Sequence, residues 1–518
     1  MIAGCASQTR RLAKHQRKRP TEASNQSIQP KHPKPAFARI QRETSEPPYQ
    51  RAAPAQNRTV TTMAADIEAR QRFFPHTQDD LKEIASDILR HAKVLGASDA
   101  ATEISEGDGL SVSVRRGEVE TIEHNRDKMV GVTVYIGNKR GNASTSDFSP
   151  QALKDTVAAA YNIARFTADD DCAGLAEREL LETAPRDLDL YHPWNLSADE
   201  AVEIARRAED AAFAVDPRVK NSEGASVSAQ HSQFVLATSS GFLHGYPYSR
   251  HYISCAPIAG EGRNMQRDDW YTSRRSATEL ASPEAVGRYA AERALSRLNA
   301  RSLDTRKVPV LFEAPLAAGL LGAFVQAVSG GALYRKTSFL VDSLGKPVFA
   351  PHIQVVEDPH VPRAAGSAPF DEEGVRTQRR EVVKDGIVQG YFLSSYSARK
   401  LGMQTTGNAG GSHNLQLQSS LTNPEDDFEA MLRKLGTGLL LTELMGQGVN
   451  FVTGDYSRGA SGFWVENGKI QYPVEEITVA STLQEMFHNI VAVGSDTLAR
   501  GTRQTGSVLI ERMTVAGQ

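Results

Sequence analysis

Three cysteines in 518 residues, Cys5, Cys172 and Cys255, are too few and too widely spaced for a disulfide framework or a CxxC metal clip, which points to a reducing compartment. No stretch supplies the ~20 apolar residues that a membrane span needs. The longest candidate, Leu316–Val328, is short and contains Gln326. The 13 histidines include no HExxH or HExxxH pair. Two histidines on one helical face are what let a peptidase helix hold zinc, so motif-borne metal catalysis is excluded. Also missing are a GxSxG elbow, a P-loop and a GxGxxG turn, which disfavours a serine hydrolase of the elbow type and a nucleotide reaction.

What is present is a long soluble composition, 40% hydrophobic and 23% charged, enough for two or three cores. The net charge of −3 conceals an asymmetry: residues 1–62 hold 12 Lys/Arg against 3 Asp/Glu, leaving 47 against 59 for the remainder, a net −12. An acidic body speaks against direct nucleic-acid binding, which needs basic residues to neutralise phosphates. The leader is rich in Pro, Gln and Arg, without an apolar period, and is expected to be disordered through residue 76, with Met63 a candidate true start. Ile2–Cys5 has neither the charged nor the apolar region of a lipoprotein signal before it.

The remaining pattern reads as α+β in three domains, 77–167, 168–305 and 306–518. A helix capped by Thr77 and closed by Gly96 precedes strands at 110–114, 118–124, 129–136 and 141–148, with Asn125–Lys128 as one of the turns. Ser149-Pro150 opens a second helix, so the first domain is helix, antiparallel meander, helix. The middle α/β region begins with a helix boxed by Ser197 and Glu200, continues in strands at 219–228, 231–238 and 242–257, and ends in a helix from Ser282-Pro283. The third domain opens on VPVLFE and a buried helix marked by Leu316, Leu320, Leu321, Phe324, Val325 and Val328, with Gly330-Gly331 as its exit. Hairpins at Asp385-Gly386 and Asn467-Gly468, and few helices, imply a large antiparallel sheet able to take an extended peptide on an edge. Thr482 and Glu485 cap a last helix carrying Leu483, Met486, Phe487, Ile490 and Val491.

SGGALYRKTSFLVDSLG at 329–345, MQRDDWYTSRR at 265–275, TGNAGGSHNLQL at 406–417 and GQGVNFVTGDYSRGASGFWVENGKIQYPVEEIT at 446–478 resemble the PmbA (TldE) branch of the TldD/PmbA family. With the 108–148 meander, the resemblance runs from about residue 78 to the C-terminus. It implies a cytoplasmic metalloprotease system, a heterodimer with a TldD-type chain around an internal cavity, and action on small or unfolded peptides. It also carries a historical link to DNA gyrase. The TldD branch bears HExxxH on the helix that matches the one centred on Gly322, and here those positions are Gly322, Ala323 and Ala327. No metal or catalytic residue is therefore carried over, and zinc is expected in the partner. Arg335, Asp342, His413 and Asn414, inside the matching motifs, are the candidate peptide-binding or cavity-lining residues. Two alternatives are an autonomous metallopeptidase drawing ligands from His244, His251, His352, His360 or His413, and a modulator binding gyrase.

Overall fold

The computed structural model describes residues 73–498 and 500–517. The basic leader, Cys5 and Met63 lie outside the described residues. The fold class is α+β, as the sequence suggests.

Helix α1, Gln78–Val94, starts where Thr77 and Asp80 exchange side-chain and backbone hydrogen bonds, and buries Leu81, Ala85, Ile88 and Ala92. Strands β1 (Asp99–Arg115), β2 (Glu118–Ile136) and β3 (Lys139–Thr145) follow. The turn expected at Asn125–Lys128 does not form, and β2 runs straight through it opposite β1, with Asn125 facing Gly109 and Arg126 facing Asp108. The polar stretch is satisfied across the ladder: Asp108, nearly buried, accepts from Arg126 Nε at 2.8 Å and contacts His124 Nε2 at 3.1 Å. Opposite charges facing each other support a strand where composition alone suggests a loop.

Helices α2 (Pro150–Phe166) and α3 (Ala198–Phe213) begin at the expected serine caps. β4, Val219–Thr238, is one strand where the sequence reads as two, and β5 (Leu243–Ala259), β6 (Gln266–Arg267) and β7 (Trp270–Arg274) complete a seven-stranded sheet. Its order is β3-β2-β1-β4-β5-β6, with β7 also on β5, so strands of the meander and of the middle region share one antiparallel sheet. α1 and α2 cover the part around Ile104 and Val132. α3 and α4 (Pro283–Ser296) cover the part around Val112, Val227 and Ile253.

β8 (Arg306–Phe312) leads into the central helix α5, Ala314–Ala327, with Pro315 in the first turn and Ala317, Leu320, Leu321, Phe324 and Val325 buried. Gly330 does not act as an exit; Ser329 caps a further short helix there, α6 (Gly330–Tyr334). The chain then forms β9 (Ile353–Glu357), β10 (Arg380–Lys384), β11 (Ile387–Val388), α7 (Ser395–Lys400), β12 (Leu415–Ser419), α8 (Phe428–Leu435) and β13 (Gly438–Met445). It ends with β14 (Asp455–Glu466), β15 (Lys469–Thr482), α9 (Leu483–His488), β16 (Ile490–Val493), β17 (Arg503–Gln504) and β18 (Val508–Ala516). The last helix is shorter than expected: Ile490 belongs to β16, paired with Ile510.

These strands make a five-stranded sheet, β11-β10-β9-β12-β17, and a six-stranded one, β15-β14-β13-β8-β18-β16. Pairing is antiparallel except at β12–β17 and β8–β13. α5 is buried with residues of both sheets, its Phe324 meeting Phe349 edge-on at 5.1 Å between ring centroids. An ion network links this core to the first sheet. Arg293 of α4 donates to Asp268 at 3.1 Å and to Glu313, the residue before α5, at 2.8 Å. Arg297 pairs with Glu443 and, at 3.5 Å, with Asp268. The charged residues of the 265–275 motif thus pair with other elements, as Arg267 does with Glu223 at 2.8 Å.

Candidate functional site

α5 presents Gly319, Gly322 and Gln326 away from the core, exposed or half-buried, while half-buried Ala323 packs against the core edge. A guanidinium lies over this face. Arg503 Nη1, from β17, stands 3.2 Å from where a Cβ on Gly322 would be. Arg503 Nε is buried without a hydrogen-bond partner, and burial holds the guanidinium below its ordinary proton affinity.

β17 pairs with β12, which emerges from the glycine-bearing loop at 406–414. At the base of that loop Glu357, only 1% exposed, accepts hydrogen bonds from the His413 backbone N–H and Asn408 Nδ2, each at 2.8 Å, and from Arg380 Nε at 2.6 Å. His413 Nδ1 lies 3.1 Å from the same carboxylate. Burial by itself raises the Glu357 pKa, but the His413 hydrogen bond and the Arg380 charge outweigh it and bring it down to about 2. Asn414 fastens the neighbouring loop: Nδ2 donates to the Asp358 carbonyl and to Ser367 Oγ, each at 2.8 Å, while Oδ1 accepts from Gly366 N–H at 2.8 Å.

His413 and Asn414 are therefore brought together, but as buried supports. Each stands 8% or less exposed. Arg335 and Asp342 are exposed; Arg335 donates to Tyr334 Oη at 2.9 Å, and Asp342 holds a turn at φ 58°. Beside the fastened loop is a small cavity of about 30 Å³ lined by Arg250, Arg274, Arg275 and Arg363, with Gly501 and Gln504 closing it near Arg503. A wider cleft of about 910 Å³ lies elsewhere, between acidic residues such as Asp169, Asp170 and Glu372 and the cations Arg140 and Lys400. Arg503 and the cavity arginines have no sequence signature except the Arg274-Arg275 doublet at the end of one motif.

The donor set does not fit a metal. Gly322, Ala323 and Ala327 offer none, and the five histidines considered as non-motif ligands are engaged separately. His352 contacts Ser419 Oγ and the Ile490 carbonyl, His360 contacts Thr377, His251 contacts the His192 carbonyl, and His244 packs on Phe242. Among the described residues no group of three or more His, Cys, Asp or Glu is placed to hold an ion.

The described fold and motifs define a class shared with known proteins. Residues 102–164 match PmbA/TldA metallopeptidase domain 1, residues 191–298 the central domain and residues 305–517 the C-terminal domain. The chain belongs to the PmbA/TldD family, and within it to the PmbA branch. It is 48% identical over 455 residues to Metalloprotease PmbA of Escherichia coli O157:H7, covering 88% of this chain and 98% of that one. A Bacteroides thetaiotaomicron structure, provisionally described as a modulator of DNA gyrase, superposes with a TM-score of 0.79 at 24% identity, covering 84% of this chain and 99% of that one. TldE from Thermococcus kodakarensis superposes with a TM-score of 0.72 at 18% identity, covering 84% of this chain and 100% of that one. No helix among the described residues is long and apolar enough to cross a membrane.

Proposed function

We propose that this chain is the metal-free subunit of a cytoplasmic metalloprotease pair, shaping a cavity and holding an unfolded peptide while a zinc-bearing TldD-type partner cleaves it. The observation that supports this reading is α5, the helix that the family resemblance matches to the metal-bearing one: its core face is buried, while Gly322, Ala323 and Ala327 supply no ligand and Arg503 lies over Gly322. Membership of a branch whose E. coli relative is named a metalloprotease supports the peptidase half of the reading. The exposed strand edges of a sheet-rich fold suit the holding of an extended main chain.

The test is reconstitution. The purified chain, a TldD-type chain and their mixture are assayed on an unstructured fluorogenic peptide, with zinc measured in each by elemental analysis. The reading expects cleavage by the pair, with zinc travelling with the partner. Unchanged cleavage by the partner alone sinks it, and stoichiometric zinc with hydrolysis by the isolated chain replaces it with an autonomous peptidase. Gyrase modulation draws on the family resemblance and on the provisional descriptions of the Bacteroides neighbour and of a Thermotoga maritima one, at 24% and 26% identity. An empty pull-down for gyrase removes it.

A further inference from the structure

The wide cleft of about 910 Å³ stands apart from the ion network around α5, and its size suits several residues of an extended chain. Its floor is the face of the first sheet that α1 and α2 leave open. Thr133 and Tyr135 of β2 alternate with Val132 and Val134, which pack under those helices, and Ala101 and Leu236 continue the open face on β1 and β4. Five carboxylates line the cleft against two cations, Arg140 and Lys400. Lys400 is already committed, its Nζ lying 2.8 Å from Asp170, and exposed Arg140 donates through Nε to Asn142 Oδ1 at 3.2 Å. Glu372 and Glu373 have no cationic partner among the described residues; Glu373 accepts the Ser395 backbone N–H at 2.8 Å. Glu103, two residues along β1 from Ala101 and so on the same face, is a third such carboxylate. Burial and the Glu372 charge push it above the ordinary carboxylate range.

Tyr135 distinguishes this cleft from an ordinary acidic surface. It is only 7% exposed, and burial keeps it a neutral hydroxyl, with Arg140 opposing that effect and Glu373 adding to it. The hydroxyl has no hydrogen-bond partner among the described residues, although its residue lines the cleft. A side chain so deeply buried ordinarily has its polar atom bonded. A phenol oxygen accepts from an ammonium or guanidinium, and carboxylates without counter-ions supply the charge such a group needs. A metal ion is a poor fit, because among the described residues no group of three or more His, Cys, Asp or Glu is placed to hold one. We propose that the cleft is a subsite for an organic cation of the bound peptide, a Lys or Arg side chain or the N-terminal ammonium, held by Tyr135 with Glu372 and Glu373. Leu175 and Leu236 offer apolar contact to an alkyl stem. This deepens the peptide-holding reading and rests on it for the identity of the ligand.

The experiment uses the full chain and fluorescence anisotropy with one unstructured peptide, labelled at its C-terminus, in three forms. One is acetylated and carries a central Lys-Lys, one is acetylated with Gln-Gln in that place, and one is the Gln-Gln form with a free N-terminus. A cationic form binds roughly tenfold tighter than the acetylated Gln-Gln peptide, and which form gains identifies the side chain or the terminus as the source. Glu372→Gln reduces that preference to less than about threefold, and added salt erodes it. Glu372 is exposed, so its replacement leaves the core untouched. Tyr135→Phe, which keeps the ring, weakens the favoured peptide by about three- to tenfold and leaves the neutral one unchanged. Equal affinity for all three peptides, or a preference indifferent to both substitutions, overturns the subsite and leaves the peptide-holding reading standing. Calcium chloride that displaces the favoured peptide beyond sodium chloride of equal ionic strength overturns the organic-cation assignment and gives the cleft to a divalent ion. A cation preference that persists while the partner alone cleaves unchanged keeps the cation site and overturns the holding reading. Binding of no probe overturns the subsite.

Discussion

Glu357→Gln is the substitution from which most can be learned about the loop that supports the cavity. The carboxylate is 1% exposed and has both oxygens engaged, one with His413 and Asn408, the other with Arg380 at 2.6 Å. At about 1.4 kcal/mol per tenfold change in proton affinity, the fall from 4.5 to about 2 corresponds to about 3 kcal/mol of stability at neutral pH. Breaking a buried pair by removing one charge costs about 3–5 kcal/mol, because the partner is left buried without a counter-ion. The two routes agree in magnitude. A depressed carboxyl pKa contributes stability that is fully present above 4.5 and lost as pH falls through about 2, so the deficit of the variant is largest at neutral pH and shrinks across that window. Hydrogen exchange followed on peptides from β9 and from 413–419 reads the local opening. Exchange in the variant is faster by about 10²-fold at pH 7, with the ratio falling toward unity between about pH 5 and pH 2. An acceleration under about threefold at pH 7, or a ratio that does not change with pH, refutes the reasoning.

Arg293→Met leaves Glu313 buried without its cation and Asp268 with Arg297 alone, and is expected to lower stability by about 3–5 kcal/mol, seen as a reduced urea midpoint. Gly287→Ala drives a methyl into the Ala208 carbonyl where α4 crosses α3, costing about 1–3 kcal/mol by thermal denaturation. Gly319→Ala, on α5 with nothing within 4 Å of its Cβ position, instead stabilises by about 0.5–1 kcal/mol. Asp496 is raised to about 6 by burial, only partly offset by hydrogen bonds from Ser507, so its favourable contribution exists below 3.8 and is lost as pH rises through about 6. Asp496→Asn is therefore more stable than the parent by up to about 3 kcal/mol at pH 8 and equal to it near pH 4, read from denaturation midpoints at the two pH values.

Local chemistry was legible in the sequence wherever one short segment contains both partners. Thr77, Ser149, Ser197 and Ser282 each cap the helix expected of them. Asp385-Gly386 and Asn467-Gly468 both turn with positive φ at each residue, as two-residue hairpins require. The misreadings occurred where a distant strand overrides local polarity. Asn125–Lys128 is polar enough for a turn, yet Asp108, far back in the chain, supplies its counter-charge. The site was less legible for the same reason. The carboxylate partner of His413 lies outside its own motif: Glu357, 56 residues earlier, meets it through the β9–β12 ladder, where Leu415 faces Glu357. Arg503 lies in a two-residue strand whose placement over Gly322 depends on β12.

The position of α5 is fixed on several sides at once, and that determines what its remaining face can contribute. Phe324 and Leu321 lock its back into the core shared by two sheets, Glu313 ties its start to Arg293, and the Ala327 carbonyl near its end accepts from Ser338 Oγ at 2.6 Å. None of these anchors needs a functional group on the outward face. The helix can lose every ligand there and keep its place, because the core positions are separate from the outward ones around the same turn. Gly322 gives that face no polar atom, so its polarity comes from exposed Gln326 and from Arg503, which an adjacent element projects over it. A substitution at a core position of α5 therefore tests packing, whereas one at Gly322 tests the contact with Arg503.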